Sequence, residues 1–288
     1  MKTYIDLVEK KLDEYIPVQY PEEIFESMRY SVLAGGKRLR PVMCLETCKL
    51  FGGNIEDALP IACAIEMLHV QSLIHDDLPC MDNDDYRRGK LSNHKAFSES
   101  TAVLAGDALI SFGIQTIIEK SKNLSAEKVL KLVELFSKAA GVYGIIAGQI
   151  VDIQSEGKKI DAKTLEYIHT HKTADMFRFA LQAGGVVAGV SDEVLEHLDE
   201  LGLKLGIAFQ ICDDILDETS TFEEMGKTLG KDEVAEKSTY TRLYGLKESE
   251  CKVYCLLDEC RGILNKYNIE SHVLEDIISS IERKAKVK

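Results

Sequence analysis

Hydrophobic residues recur along this chain at intervals of three and four, and almost never in strict alternation. The clearest run is Val194, Leu195, Leu198, Leu201, Leu205, Ala208, Phe209, Cys212 and Ile215, which lines one face of an α-helix. It predicts a single long helix running straight into Asp213-Asp214-Ile215-Leu216-Asp217. Ala62, Ile65, Leu68 or His69, Ser72 and Asp76 predict a second such helix, closing on Asp76-Asp77-Leu78-Pro79-Cys80-Met81-Asp82. Punctuation falls where helices should turn: Pro21 at a helix start, Gly35-Gly36, Gly52-Gly53, Ser121-Lys122-Asn123, Gly157-Lys158-Lys159, and the stretch from Thr219 to Lys231. No convincing strand, linker or short repeat interrupts the pattern, so the expectation is one all-α domain over residues 1–288.

Two acidic clusters at the ends of apolar helices need an explanation, because neighbouring carboxylates repel. A solvated helix end suffices for one Asp-Asp pair. Two matching Ile-Xaa-Asp-Asp clusters favour multivalent cations, and an all-carboxylate donor set suits Mg²⁺ shared with substrate phosphates. Facing each other, the clusters would make a metal-lined mouth for a polyphosphate. Asp213 and Asp217 are one helical turn apart and share a face. Asp76 and Asp82 are too far apart for one straight face, but Pro79 should end the helix and let Asp82 fold back.

Basic residues complement them. Gly35-Gly36-Lys37-Arg38-Leu39-Arg40-Pro41 sets three cations after a glycine pair that should end the preceding helix. It lacks the Gly-Lys-Ser/Thr and the preceding strand of a nucleotide P-loop. Arg87-Arg88 follow Asp82-Asn83-Asp84-Asp85, beside the proposed metal site, and arginine forks bind phosphate oxygens in pairs.

With these motifs in this order, joined by Arg87-Arg88-Gly89-Lys90 and His171-Lys172-Thr173, the chain resembles the trans-isoprenyl diphosphate synthases of the polyprenyl synthetase family, bacterial farnesyl type. The resemblance spans Gly35 to about Lys231, with helices on both sides. It implies a single large helical bundle, the isoprenoid synthase fold, around a central cavity. It also implies a reaction in which an allylic diphosphate loses its diphosphate, isopentenyl diphosphate attacks the resulting cation, and a proton leaves.

The same resemblance assigns roles. Asp76 and Asp82, with Asp77 in support, would hold two Mg²⁺ ions; Asp213 would hold a third and Asp217 would act through water. Arg87, Lys172 and Lys227 would contact the allylic diphosphate. Lys37, Arg40, His69 and Arg88 match the metal-free isopentenyl diphosphate site, although a lone histidine on an apolar helix is more often a core residue. Lys172, Thr173 and Gln210 match positions whose oxygens face the developing cation, and Gln149 with Asp152 matches a motif lining the same cavity. Gln71 stands where a ring stops chain growth near C15 and a small residue or Met lets a C20 chain pass. Farnesyl diphosphate is the expected product, with geranylgeranyl diphosphate the alternative and a non-catalytic subunit of a heteromeric synthase more remote. A class I terpene cyclase would lack Lys37, Arg40 and Asp213, and an EF-hand would need a glycine and a further ligand that Asp82-Asn83-Asp84-Asp85-Tyr86 does not offer.

Composition adjusts this picture little. A 288-residue chain that is 45% hydrophobic can bury a large core. A net charge of −13 argues against nucleic acid. The eight cysteines show no metal-ligand spacing, so reduced, mostly buried thiols are expected, with Cys80 the possible exception. No apolar run reaches a membrane span and the start has no secretory core, which predicts a cytoplasmic protein without membrane insertion. The family habit and the long amphipathic helices predict a homodimer.

Overall fold

The computed structural model describes residues 1–219, 239–267 and 269–287. They form two compact units, one of residues 1–136 with 186–188, the other of residues 137–185 with 189–288. The helical class expected from the periodicity is what the chain adopts.

In the first unit the helices are α1 (Lys2–Tyr15), α2 (Glu22–Val32), α3 (Leu39–Leu50), α4 (Ile55–Asp76), α5 (Asn93–Ala96) and α6 (Glu99–Lys120), joined by α7 (Ala126–Ala140), which ends in the second. The α4 helix is the axis. Its first turn is fixed by Asn54, whose side chain accepts the Glu56 N–H at 3.2 Å. Leu59, Ile61, Ala62, Ile65, Met67 and Leu68 are fully buried, because α1, α3 and α6 pack around it. Its apolar character all round follows from burial on every side.

Between α4 and α5 lies the one departure from all-helical structure among the described residues. Strands β1 (Tyr86–Arg87) and β2 (Lys90–Leu91) pair antiparallel, Tyr86 opposite Leu91. The two-residue loop has φ of 53° at Arg88 and 75° at Gly89, the left-handed pair that matches hairpin twist. Two residues per strand are too few for alternation to register, which is why periodicity missed them.

The second unit contains α8 (Ile145–Ser155), α9 (Ala162–Ile168), a π-helical turn (His169–Ala174), α10 (Asp175–Ala188), α11 (Asp192–Thr219), α12 (Tyr240–Tyr244), α13 (Leu246–Lys266) and α14 (His272–Ala285); the last residues of α10 belong to the first unit. The α11 helix is the axis here, packed by the π-helical turn, α13 and α14. Three glycines let helices meet at backbone distance. A Cβ at Gly148 would lie 2.2 Å from Lys172 N, at Gly206 2.4 Å from Ala174 Cα, and at Gly202 2.5 Å from Arg178 Cα. A side chain at Gly148 or Gly206 would push the π-helical turn off α8 or α11, and one at Gly202 would push α10 off α11.

Two sequence expectations need adjustment. By length and composition α4 and α6 could each cross a membrane, but 78% of the apolar window of α4 is buried inside the protein, as in a core helix, against 44% for α6. Cys44, Cys48, Cys63, Cys212 and Cys260 are buried as expected, whereas Cys251 and Cys255 join Cys80 in being exposed, since they sit on the outer face of α13.

Candidate active site

The first acidic motif is wound into a tight loop. The α4 helix ends at Asp76, and the chain turns so that the Asp82 N–H donates to the Asp76 carbonyl at 2.8 Å. Asn83 N and Met81 N both donate to the Leu78 carbonyl, at 3.1 and 2.9 Å, and Asp84 N reaches the Asp77 carbonyl at 3.2 Å. The fold-back anticipated from Pro79 therefore exists, and it brings Asp82 back to the turn that carries Asp76. Asp77 points elsewhere: it is buried and accepts from Arg87 Nε at 3.0 Å, while Arg87 Nη2 also reaches Asp84 at 3.2 Å. Burial opposes the Arg87 charge, but Asp77, with Asp76 and Asp82 behind it, outweighs it and holds the guanidinium pKa above its ordinary value.

Arg88 has no such carboxylate to itself. Its Nη1 donates to the Gly35 carbonyl, and a Cβ at Gly36 would lie 2.9 Å from its guanidinium carbon. The glycine pair thus does more than terminate a helix: α2 already ends at Val32, and Gly35 and Gly36, with φ of 78° and 141°, leave room for Arg88. Among the described residues the non-glycine residues with positive φ are Arg38, Asn83 and Arg88, all in these two loops. Left-handed backbone at such residues is uncommon and clusters at functional sites.

Arg38, not Arg40, is the buried anchor of the Gly-Gly-Lys-Arg-Leu-Arg segment. It is 2% exposed, donates from Nε to Glu9 at 2.7 Å and from Nη2 to the Val32 carbonyl at 2.6 Å, and pairs through Nη1 with buried Glu66. Glu66 also lies 3.7 Å from Arg88 Nη2. Burial works against the Arg38 charge, yet Glu66 and Glu9 prevail and raise its pKa. For Arg40 the balance differs: burial, partly offset by Glu66 and reinforced by Arg88, pushes its pKa down to about 10. His69 keeps some surface, but burial and then Arg40, Arg88, Arg38 and Arg87 hold its pKa well below the ordinary value and favour the neutral ring. Arg40, His69 and Arg88 thus form an electropositive cluster. Lys37 lies exposed at its edge, immediately before Arg38.

The second unit assembles another group. Lys172 and Thr173 lie on the π-helical turn, a widened turn that often marks a functional position. Lys172 Nζ meets Asp152 of α8 at 2.5 Å, and Gln149 sits one turn earlier on the same helix. Thr173 Oγ1 donates to Gln210 Oε1 at 2.7 Å, and Gln210 Nε2 donates to Asp214 Oδ1 at 3.1 Å. Asp214 Oδ2 accepts the Tyr240 N–H at 2.8 Å and lies 3.4 Å from His169 Nε2. Asp213 and Asp217 share one face of α11, one turn apart, while Asp214 is turned inward and buried. Lys227 lies outside the described residues.

Sequence reading missed Glu66, Asp214 and His169 as site-supporting groups. A signal existed for the first two. Glu66 is a lone carboxylate in an apolar run, three residues before His69, and Asp214 is four residues after Gln210 on one helical face.

No three described His, Cys, Asp or Glu side chains are grouped tightly enough to hold a metal ion alone. The pairs Asp76 with Asp82 and Asp213 with Asp217 each offer carboxylate side chains alone, a chemistry that would fit a hard ion completing its shell with water and substrate oxygens.

Residues 21–276 match the polyprenyl synthetase family, and the chain belongs to that family of prenyltransferases, which elongate prenyl chains. It is 48% identical over 255 residues to a dimethylallyltranstransferase of Fischerella ambigua (strain UTEX 1903), covering 88% of this chain and 74% of that one. It is 49% identical over 243 residues to a chloroplastic geranylgeranyl pyrophosphate synthase of Catharanthus roseus, with 84% and 68% covered. With a farnesyl diphosphate synthase of Micrococcus luteus it shares 46% identity over 250 residues, covering 86% and 84%. Among solved structures, an FPP/GFPP synthase from Zymomonas mobilis superposes with a TM-score of 0.85 at 33% identity, covering 98% of this chain and 95% of the other. A geranyltransferase from Helicobacter pylori, complexed with magnesium and isoprenyl diphosphate, gives 0.84 at 30% identity, with 98% and 96% covered. The fold is thus the isoprenyl synthase fold.

Proposed function

We propose that the protein condenses isopentenyl diphosphate with an allylic diphosphate, dimethylallyl or geranyl, and makes mainly farnesyl diphosphate with a minor geranylgeranyl fraction. The observation that carries the reading is the loop in which Asp82 folds back onto the Asp76 carbonyl while Arg87, gripped by Asp77, stands beside it. Such a loop offers carboxylates to cations and an oriented guanidinium to a diphosphate. Asp76, Asp82 and Asp213 would hold three Mg²⁺ ions, with Asp217 acting through water; bound there, the ions neutralise the negative charge that develops on the leaving diphosphate.

The chain's own residues would then divide the work. Arg87, Lys172 and Lys227 bind the allylic diphosphate, and Lys37, Arg40, His69 and Arg88 bind isopentenyl diphosphate. Lys172, Thr173 and Gln210 present oxygens to the allylic cation formed as its carbon–oxygen bond breaks, and Gln149 lines the same pocket. The new carbon–carbon bond forms from the isopentenyl double bond, and the proton leaves with the released diphosphate. Gln71 is buried and carries neither a ring nor a small side chain, which supports a C15 product with a minor C20 fraction, and relatives of both product lengths are compatible with that intermediate behaviour.

We further read the protein as a cytoplasmic homodimer. Val103, Leu104 and Ile118 on one face of α6 are exposed by 41%, 59% and 56%, a face that a second copy would cover. Light scattering should give twice the 32.1 kDa chain mass.

The test is incubation of the purified chain with isopentenyl diphosphate and each allylic primer, with products identified by mass spectrometry. Mg²⁺-dependent C15 formation from geranyl diphosphate is expected, abolished by chelator. Undiminished condensation in chelator would refute the metal assignment, and absence of condensation with every primer would refute the activity.

A further inference from the structure

Gln71 carries a buried amide on the inner surface of α4, 8% exposed, five residues before Asp76. Its Nε2 lies 3.0 Å from Nδ1 of His75, one turn further along. The other ring nitrogen of His75, Nε2, lies 3.1 Å from the Val103 carbonyl oxygen on α6. A carbonyl only accepts, so in the neutral ring Nε2 carries the proton and Nδ1 presents its lone pair. That lone pair takes the Gln71 amide N–H and would repel the amide oxygen. Gln71 is therefore held in one orientation by a directional chain that starts at the backbone of α6.

The ring has a seat made for it. A Cβ at Gly106 would lie 2.0 Å from His75 Nε2 and 2.4 Å from its Cδ2. Gly106 is helical and has no positive φ, so its lack of a side chain serves space and not backbone conformation. Its neighbours on the same helix, Ala102, Ala105 and Leu109, are fully buried and hold that stretch of α6 against α4.

We propose that His75, seated against Gly106 and oriented by the Val103 carbonyl, is a positioning residue that fixes the Gln71 side chain and so sets the prenyl chain length at which elongation stops. This rests on reading Gln71 as the floor of the chain pocket. An unbranched amide with three torsions is a soft floor by itself, and one neutral hydrogen bond changes rotamer populations by roughly two- to twelvefold. The stopping length is then a property of the Gln71–His75 pair rather than of one side chain.

The experiment compares product-length ratios, after dephosphorylation, for the wild-type full chain, Gln71→Ala, His75→Phe, Gly106→Ala and the double variant Gln71→Ala/His75→Phe. His75→Phe keeps a ring but removes both hydrogen bonds, and Gly106→Ala dislodges the ring without removing any polar group. Each should raise the long-to-short ratio by roughly two- to tenfold, and His75→Phe should add nothing once Gln71 is alanine. The sign separates this from damage to the neighbouring acidic motif, because a slowed chemical step shortens products whereas a loosened floor lengthens them. Unchanged or shortened products in both His75→Phe and Gly106→Ala, with lengthened products in Gln71→Ala, overturn the role of His75 alone. Unchanged products in Gln71→Ala overturn the floor reading and the inference together.

Discussion

Thr173 Oγ1 donates its proton to Gln210 Oε1 at 2.7 Å, tying the π-helical turn to α11. The direction is fixed from the far end: Asp214 accepts from Gln210 Nε2 at 3.1 Å, so the amide oxygen must face Thr173. With its hydrogen committed, the Thr173 hydroxyl can turn only lone pairs toward whatever lies beyond it, which suits an oxygen that stabilises a cation. Thr173→Val and Gln210→Leu should each lower kcat by about five- to thirtyfold, the equivalent of roughly 1–2 kcal/mol for one polar contact. Because the two act as a unit, the double variant should be hardly worse than the poorer single one. Steady-state kinetics of the three variants check this, and strictly additive losses would show that the residues work independently.

How much of this was legible beforehand differs between the two sites. The long helices and their acidic ends were readable because burial of one face leaves a three-and-four spacing, as from Leu198 to Ile215. The fold-back of Asp82 was readable from Pro79, since proline restricts backbone locally. Partners brought together from distant segments were not. Nothing near Arg38 in sequence indicates that Glu9 and Glu66 will enclose it, or that Gly36 makes room for Arg88 rather than merely ending a helix. The π-helical turn was equally hidden, because nothing local in the sequence marks the residues that α8 and α11 approach so closely at Gly148 and Gly206. A two-residue hairpin left too short a record for any periodicity to reveal.

Glu66 supplies the second prediction. It is 1% exposed and neutralises Arg38, which has no route to solvent, while also lying 3.7 Å from Arg88. Removing one partner of a buried pair leaves the other charge uncompensated and typically costs about 3–5 kcal/mol, whereas replacing both by apolar residues of similar volume is often neutral. Glu66→Leu should therefore lower the unfolding free energy by roughly that amount, and Glu66→Leu/Arg38→Met should recover much of it. Urea unfolding of the three variants is the measurement. A loss below about 1 kcal/mol in Glu66→Leu would mean that Glu9 alone satisfies Arg38.

His69 gives a prediction about pH. Burial and the surrounding arginines hold its folded-state pKa well below 6.5, the value it regains on unfolding. A depressed histidine pKa means that the unfolded chain binds the proton more readily. The stabilisation is therefore fully present above about pH 6.5 and is lost as pH falls towards the folded pKa, at up to about 1.4 kcal/mol per pH unit. His94, whose pKa burial also lowers, contributes to the same window, so total acid sensitivity does not isolate His69. The difference between wild type and His69→Asn does. Unfolding midpoints in urea at pH 7.5 and 5.5 should move further apart in the wild type than in the variant. Saturating isopentenyl diphosphate should shrink that gap, because a bound diphosphate beside the ring offsets the arginines and raises the folded pKa. Identical pH slopes for the two proteins without ligand would show that His69 already protonates freely in the folded chain; identical slopes for the wild type with and without ligand would place the diphosphate away from His69.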